Sequence, residues 1–556
     1  MLTCVYKPLG DTSFLIKLGE TISPETNRHV HSLARAIQNS QITGLTALIP
    51  AYSDILAIYD PDLINWSDFL LKIKETVNGY CSNPSSGDND QSPVLEIPVS
   101  YGGQDGPDLE EVALHARLSK EEVVQRHTQS IYRVYMMGFT PGFCYLGGLD
   151  TAIAIPRKKE PRLSVPAGSV GIAGDQTGIY PITSPGGWQI IGRTNLKLFD
   201  PGRMEPFLCK AGMNVRFSRL SDDLLPPFND SKDPSPVRNT LFSTDKPHVR
   251  VVEPGLLTTI QDAGRLGFRA FGMPAGGAMD FPSFCLANKL VGNQKDDAVM
   301  EMTFKGPVLE FVADTVVAVT GADMPPRVNG MEMAINQLIT IHSGDLLSFA
   351  GIKNGLRAYL SVKGGFDVSL AMGSRSTYLK GKVGGYKGRA LEAGDEIEIG
   401  MANANEISKM PENFPKSQPK TLSRPATIRF IPGPESGQFS INGIRIFLTS
   451  VFTVSPNSDR MGIRLQGPKV EHLSGADILS SGVIPGTIQI PGDGNPIILM
   501  NDCQTTGGYP RIGCVTREDL QLLAQLMPGD KIIFSEAKLQ NTPGRDRQHV
   551  ANLPQP

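Results

Sequence analysis

From Arg162 to Thr194 the chain reads RLSVPAGSVGIAGDQTGIYPITSPGGWQIIGRT, strand-like apolar runs broken by more glycine and proline than packing requires. Glycine costs backbone entropy, so its density marks turns with positive φ or places where backbone approaches something closely. Between the glycines stand Arg162, Ser169, Gln176, Tyr180, Ser184 and Arg193, with Gly186, Gly187 and Trp188 at the last turn. Two readings follow: tight hairpins of a β-barrel, or a pocket wall that holds a small polar ligand.

Working outward, the stretch is preceded by Gly138-Phe139-Thr140-Pro141-Gly142-Phe143 and Tyr145-Leu146-Gly147-Gly148-Leu149. Together these motifs resemble the first of two paired proteins, called allophanate hydrolase subunit 1, kinase-A inhibitor or the B-type subunit of 5-oxoprolinase. The second half is similar to the matching partner, allophanate hydrolase subunit 2 or the C-type subunit of 5-oxoprolinase. That likeness runs through Gln261-Asp262-Ala263-Gly264-Arg265-Leu266-Gly267, Gly277-Ala278-Met279-Asp280 and Ala287-Asn288-Lys289-Leu290-Val291-Gly292-Asn293. The chain thus looks like a fusion of the two. The resemblance implies a mainly β protein with an α+β N-terminal part and cyclophilin-like barrels, one in the first half and two in the second.

A chain of 556 residues exceeds one core, and with 40% hydrophobic and 20% charged residues it has ample material for three or four. Its net charge of −3, with no basic run, argues against a nucleic-acid partner. No charged n-region, h-region or long apolar run is present, so a cytoplasmic protein without a membrane partner is expected. Cysteines at 4, 81, 144, 209, 285, 503 and 514 lack CxxC spacing and the histidines form no HExxH, so reduced thiols and no metal site are expected. Cys144, where the family usually carries a small residue, reads as a packing thiol.

Turn-rich runs at Asn83–Asp90, Asp222–Asp245 and Asn403–Pro425 divide the chain. They leave a small α+β domain over 1–82, a barrel over 93–222, and two further barrels over 247–402 and 425–538, with a disordered tail from Gln540. Ser23-Pro24 predicts a helix start, with the helix running to about Asn39, and Ser119 with Glu122 predicts a capping box. Asp280 caps a helix that ends at Gly292-Asn293, and Val251–Thr259 reads as one strand. A glycine turn feeding a half-buried strand recurs at Gly212, Gly344, Gly394 and Gly529, which suggests related barrel modules.

No P-loop, dinucleotide fingerprint or GxSxG elbow occurs, and no lysine lies between methionines where biotin could be attached. His127, Asp262 and Asp502 are candidates to move a proton, although His127 near a helix end also reads as a structural residue, and Asp262 as a cap or a partner of Arg265. Candidate binding residues are Tyr145, Arg162, Gln176, Tyr180, Ser184, Gly186, Gly187, Trp188 and Arg193 in the first half. In the second they are Gln261, Arg265, Arg375, Gln504, Thr505 and Tyr509. Arginines and glycine-turn amides suit carboxylates or phosphates, but they also suit an interface between the halves.

The resemblance implies ATP-dependent opening of 5-oxo-L-proline to L-glutamate, with ATP and Mg²⁺ as cofactors and a separate A-type subunit as partner, and it leaves a homodimer open. It also carries two alternatives. One is a carboxyltransferase like that of urea carboxylase, taking carboxyl from biotin on another protein. The other is a regulator that binds a histidine kinase.

Overall fold

The computed structural model describes residues 3–82, 93–220, 246–400 and 425–537. The runs read as linkers at 83–90 and 222–245, the run 403–425 except for Pro425, and the tail from Gln540 lie outside the described residues.

Local signals decide the first domain. Ser23 accepts from the Thr26 N–H, Pro24 opens the helix Pro24–Asn39, and Trp66–Ser82 forms the second helix. Both pack on an antiparallel sheet of four strands ordered Val5–Pro8, Ser13–Lys17, Asp54–Tyr59 and Leu45–Pro50. Phe14, Ile16, Leu33, Ile37, Ile55, Phe69 and Ile73 fill the space between the layers.

A closed seven-stranded barrel follows. Around it run Val94–Tyr101, Gln189–Arg193, Ser169–Ala173, Gln176–Ile179, Cys144–Gly147, Ile131–Met137 and Asn214–Arg219, the last returning parallel to the first. Residues 425–537 form a second closed barrel ordered Ala426–Pro432, Arg511–Val515, Thr487–Gln489, Ile497–Leu499, Gly462–Gln466, Phe452–Val454 and Lys531–Glu536, also closed by a parallel pair. Strand for strand the two orders are the same. Each barrel also carries a two-stranded side ribbon inserted at the same two places in the chain order, Arg162–Val165 with Ser184–Gly186 in the first and Ser481–Gly482 with Thr506–Gly507 in the second. The stretch Arg162–Thr194 therefore has a counterpart around residues 481–515.

The recurrent glycine turns form as expected. Gly212, Gly344, Gly394 and Gly529 have φ of 87°, 89°, 87° and 91°, and each precedes a strand. Two of those strands close the barrels.

Residues 246–400 depart from the expectation of a second barrel in this half. They form a seven-stranded and a five-stranded sheet that are not hydrogen-bonded into one closed wall. The two sheets share one core, with Val249, Leu309 and Phe311 from one facing Ile260, Met300, Val319 and Leu360 from the other. The cause lies in the stretch read as a single strand. His248–Glu253 and Leu257–Gln261 are separate, because Pro254 cannot donate to a ladder and Gly255 turns the chain at φ 75° into the other sheet. No described helix is long and apolar enough to cross a membrane.

Candidate functional site

On the outer wall of the first barrel, Tyr135, Tyr145, Ala173 and Ile190 point away from an interior filled by Val134, Leu146, Ile172 and Ile191. Alternation along the strands produces the two faces. Phe143, Tyr180 and Trp188 complete an aromatic layer, with Phe143 edge-on to Trp188 at 5.5 Å and to Tyr180 at 5.2 Å. The glycines of the stretch explain themselves here. A Cβ on Gly178 would meet the Cys144 carbonyl and the Trp188 ring at 2.9 Å, and one on Gly186 would overlap Tyr180. Gly178 and Gly186 thus bed aromatic rings, while Gly168 and Gly174 take positive φ in turns.

This aromatic layer is covered from two other domains. Tyr52 of the N-terminal domain packs on Tyr135 and Tyr145 and donates from its hydroxyl to Gln176 Oε1 at 2.6 Å, and Leu479 arrives from the second barrel. Burial raises the Tyr52 phenol far beyond its ordinary value and moves Tyr145 and Tyr180 the same way, partly opposed by the charge of Arg157. Sequence reasoning missed Tyr52, Tyr135, Arg157 and Leu479, because their segments share no local pattern with the stretch they cover.

The first-half arginines are engaged within the protein. Arg162 Nη2 donates to Asp108 Oδ1 at 2.7 Å, and Arg193 Nε donates to the Ala167 carbonyl at 2.9 Å. Burial would raise Asp108, but hydrogen bonds from Arg162, the Ile190 N–H and Lys158 hold it below the usual carboxylate range. Ser184 Oγ is buried without a hydrogen-bond partner among the described residues. Gly187 lies at the same turn beside Pro161.

His127 lies in the barrel interior. Its Nδ1 and Nε2 meet Tyr101 Oη at 2.7 Å and Thr177 Oγ1 at 2.9 Å, and Phe217 stacks on its ring. Desolvation pushes it down to about 3, so it stays neutral and out of contact with solvent.

Most of the second-half candidates gather between the sandwich and the second barrel. Arg460 clasps Asp502 with bonds of 2.9 and 3.0 Å, reaches Glu301 Oε1 with Nη1, and donates to the Gly277 carbonyl at 2.7 Å. Glu301 in turn accepts from the Met279 N–H and the Tyr359 hydroxyl. Burial pushes the Asp502 carboxyl up against the pull of Arg460. Asp262 accepts from the hydroxyls of Ser374 and Ser376 and the N–H groups of Gly264 and Arg375. Its acceptor capacity is used in holding that turn. Arg265 donates to the carbonyls of Ala371 and Ser376 at 2.8 Å, with Asp262 and Asp502 near enough to act on its charge. Gln261 bonds Thr259 and Thr377, and Arg375 reaches Val368 O and Asp367. Asp280 caps its helix by accepting from the Ser283 N–H. Gln504 is half-buried, Thr505 is buried and Tyr509 is exposed.

The halves meet where Gly138–Phe143 abuts both Arg269–Gly272 and Thr506. Gly142 N donates to the Phe271 carbonyl at 2.9 Å, and Gly138 and Gly272 press together with Thr506 against Gly138. Phe139 holds φ 64° in this turn, a conformation that bulky residues rarely adopt. A surface hollow of about 410 Å³ lies elsewhere, at Arg429, Glu518, Asp519, Gln521 and Leu522, and none of the sequence candidates lines it.

No three histidines, cysteines or carboxylates cluster as for a metal among the described residues. Arg162, Arg193, Arg265 and Arg375, the arginines expected to hold phosphates, each donate to protein acceptors, while Arg162 Nη1 and Arg265 Nη1 are buried without a hydrogen-bond partner among the described residues.

Comparison with known proteins agrees with this architecture. The family described as carboxyltransferase domain, subdomain C and D, matches residues 4–209, and subdomain A and B matches residues 271–536. The first half is 45% identical over 222 residues to the B-type subunit of 5-oxoprolinase from Bacillus subtilis, covering 38% of this chain and 92% of that protein. The second half is 38% identical over 292 residues to the C-type subunit of 5-oxoprolinase from Escherichia coli, covering 52% of this chain and 92% of that protein. It is also 34% identical to urea amidolyase of Saccharomyces cerevisiae over 51% of this chain, a match spanning 16% of that longer protein. The crystal structure of TTHA0988 superposes with a TM-score of 0.82 at 35% identity, covering 94% of this chain and 99% of that one. With both sets of subdomains joined in one polypeptide, C and D in its first half and A and B in its second, the chain belongs to the carboxyltransferase-domain family.

Proposed function

We propose that this chain is a fused B-and-C component of an ATP-dependent 5-oxoprolinase, which converts 5-oxo-L-proline to L-glutamate with a separate A-type subunit. The observation that carries the reading is that each half is similar to one 5-oxoprolinase subunit over 92% of that subunit's length, the B type and then the C type. The seam at Gly138, Gly272 and Thr506 lets the two act as one unit, and covalent linkage keeps their effective concentration high.

A lactam is a poor electrophile, so its opening needs an activating partner and firm positioning of the ring. ATP and Mg²⁺ belong in this reading to the assembled enzyme, and this chain contributes binding and orientation. The test mixes the purified chain with the A-type subunit, ATP, Mg²⁺ and 5-oxo-L-proline and measures glutamate. Glutamate well above that from either protein alone is expected; its absence overturns the reading.

The family description and the likeness to urea amidolyase favour a second reading, carboxyl transfer to an amide from biotin carried on another protein. It predicts activity with a biotinylated carrier and no need for the A-type subunit.

A further inference from the structure

Five arginines of the second half are almost fully buried: Arg265, Arg269, Arg357, Arg460 and Arg511. Four have carboxylates at hand. Arg460 pairs with Asp502 and Glu301, Arg511 with Glu435, Arg357 lies 3.9 Å from Glu301, and Arg265 feels Asp262 and Asp502. Among the described residues, Arg269 has none. Its Nη2 donates to the Val483 carbonyl at 2.8 Å, its Nε makes no hydrogen bond to oxygen or nitrogen, and the ionisable group acting on it is the Cys503 thiol, itself pushed up to about 11 by burial. A guanidinium keeps its proton, so this is a buried cation without an anion, an arrangement that folding does not favour unless something binds there.

Its location gives the deficit a meaning. Arg269 opens the turn Arg269–Phe271, against which the Gly138–Phe143 turn of the other half is docked. The segment Cys503–Thr506 completes the junction, with the Val483 N–H donating to the Thr505 carbonyl. The hydroxyls of Thr140, Thr505 and Thr506, one from the first half and two from the second, are all buried without hydrogen-bond partners among the described residues. Phe139, beside Thr140, carries the uncommon positive φ. Along this one junction three hydroxyls lack an acceptor, and the Arg269 guanidinium has only the Val483 carbonyl and the Cys503 thiol.

A small anion with several acceptor oxygens is the chemical complement of such a set. We propose that Arg269, Thr140, Thr505 and Thr506 form a binding site for a small carboxylate, assembled only where the two halves meet. The inference rests on the proposed function in one respect: 5-oxo-L-proline is such a carboxylate, and this site would hold its acid group while its ring amide is opened. Bicarbonate shares the chemistry and would suit the carboxyl-transfer reading.

The test is calorimetric binding to the full chain of three probes: 5-oxo-L-proline, its neutral carboxamide, and bicarbonate. The native chain should bind 5-oxo-L-proline at least about 10-fold more tightly than the carboxamide, and Arg269→Gln should lose roughly 10- to 100-fold for the acid while barely changing the carboxamide. Arg269→Lys should recover part of the loss. Thr506→Val, which keeps the shape and removes the hydroxyl, should weaken the acid about 5-fold, and it stands in if the Arg269 variants do not fold. Equal binding of acid and carboxamide, no binding of any probe, or a folded Arg269→Gln or Thr506→Val with native discrimination each overturns the site and leaves water as the partner of the hydroxyls. Arg269-dependent binding of bicarbonate alone keeps the site and sinks the lactam-opening reading. Glutamate formation untouched in Arg269→Gln keeps that reading and sinks the site.

Discussion

Gly138 of the first half lies directly against the side chain of Thr506 in the second, so close that a Cβ on Gly138 would overlap the threonine hydroxyl. This contact ties the turn of one barrel to the side ribbon of the other. Gly138→Ala is expected to push the halves apart and to cost about 1–3 kcal/mol, the usual penalty for overpacking. Denaturant unfolding measures the loss; an unchanged midpoint would mean that Thr506 simply swings aside.

Arg460 holds two carboxylates, Asp502 and Glu301, in a buried seam between sandwich and barrel. Arg460→Met leaves Asp502 without its cation and Glu301 with only Arg357 at 3.9 Å, and should destabilise the chain by about 3–5 kcal/mol. Adding Asp502→Asn should restore part of that, because the stranded carboxylate becomes neutral while Glu301 still answers Arg357. Chemical denaturation of the single and double variants distinguishes the outcomes.

His127 makes stability fall in acid. Its folded-state value of about 3 lies below the ordinary 6.5, so the unfolded chain takes up a proton that the folded chain refuses. Stability from this group is full above about pH 6.5 and shrinks as pH drops toward 3, by about 5 kcal/mol at most. His127→Asn should flatten this part of the pH profile of the unfolding midpoint. A catalytic inflection near neutrality that vanishes in His127→Asn would instead give the residue a chemical role.

Asp54 works in the opposite direction. It accepts from Ser481 Oγ across the interface with the second barrel, and burial lifts it from 3.8 to about 6 against the opposing pulls of Arg511 and Ser481. Its contribution is full below about pH 4 and is lost as pH rises through 6, up to roughly 3 kcal/mol. Asp54→Asn keeps a hydrogen-bonding group there and should gain stability relative to the native chain between about pH 5 and pH 7. Parallel melts at the two pH values check the sign.

What was legible in the sequence was local. The Ser23 cap, the Ser119–Glu122 box, the Asp280 cap with its Gly292 stop, and the four glycine turns all stand where their neighbours in the chain place them. Each is decided by hydrogen bonds and φ preferences within a few residues. The Val251–Thr259 stretch went the other way, because its alternation hid the Pro254-Gly255 turn that sends its ends to different sheets.

The amino-acid order by itself determined the helix ends, the turns, the strand-rich character and, through motif resemblance, the pairing of two related halves. Only the tertiary structure decided which of 246–400 and 425–537 closes into a barrel, that Gly178 and Gly186 bed aromatic rings, and that Tyr52 and Leu479 cover the aromatic layer. It also decided which charge answers which, as where Arg460 meets Glu301 from 159 positions away. Such pairings are chosen by burial and by the closure of long loops, and neither is written in any short run of residues.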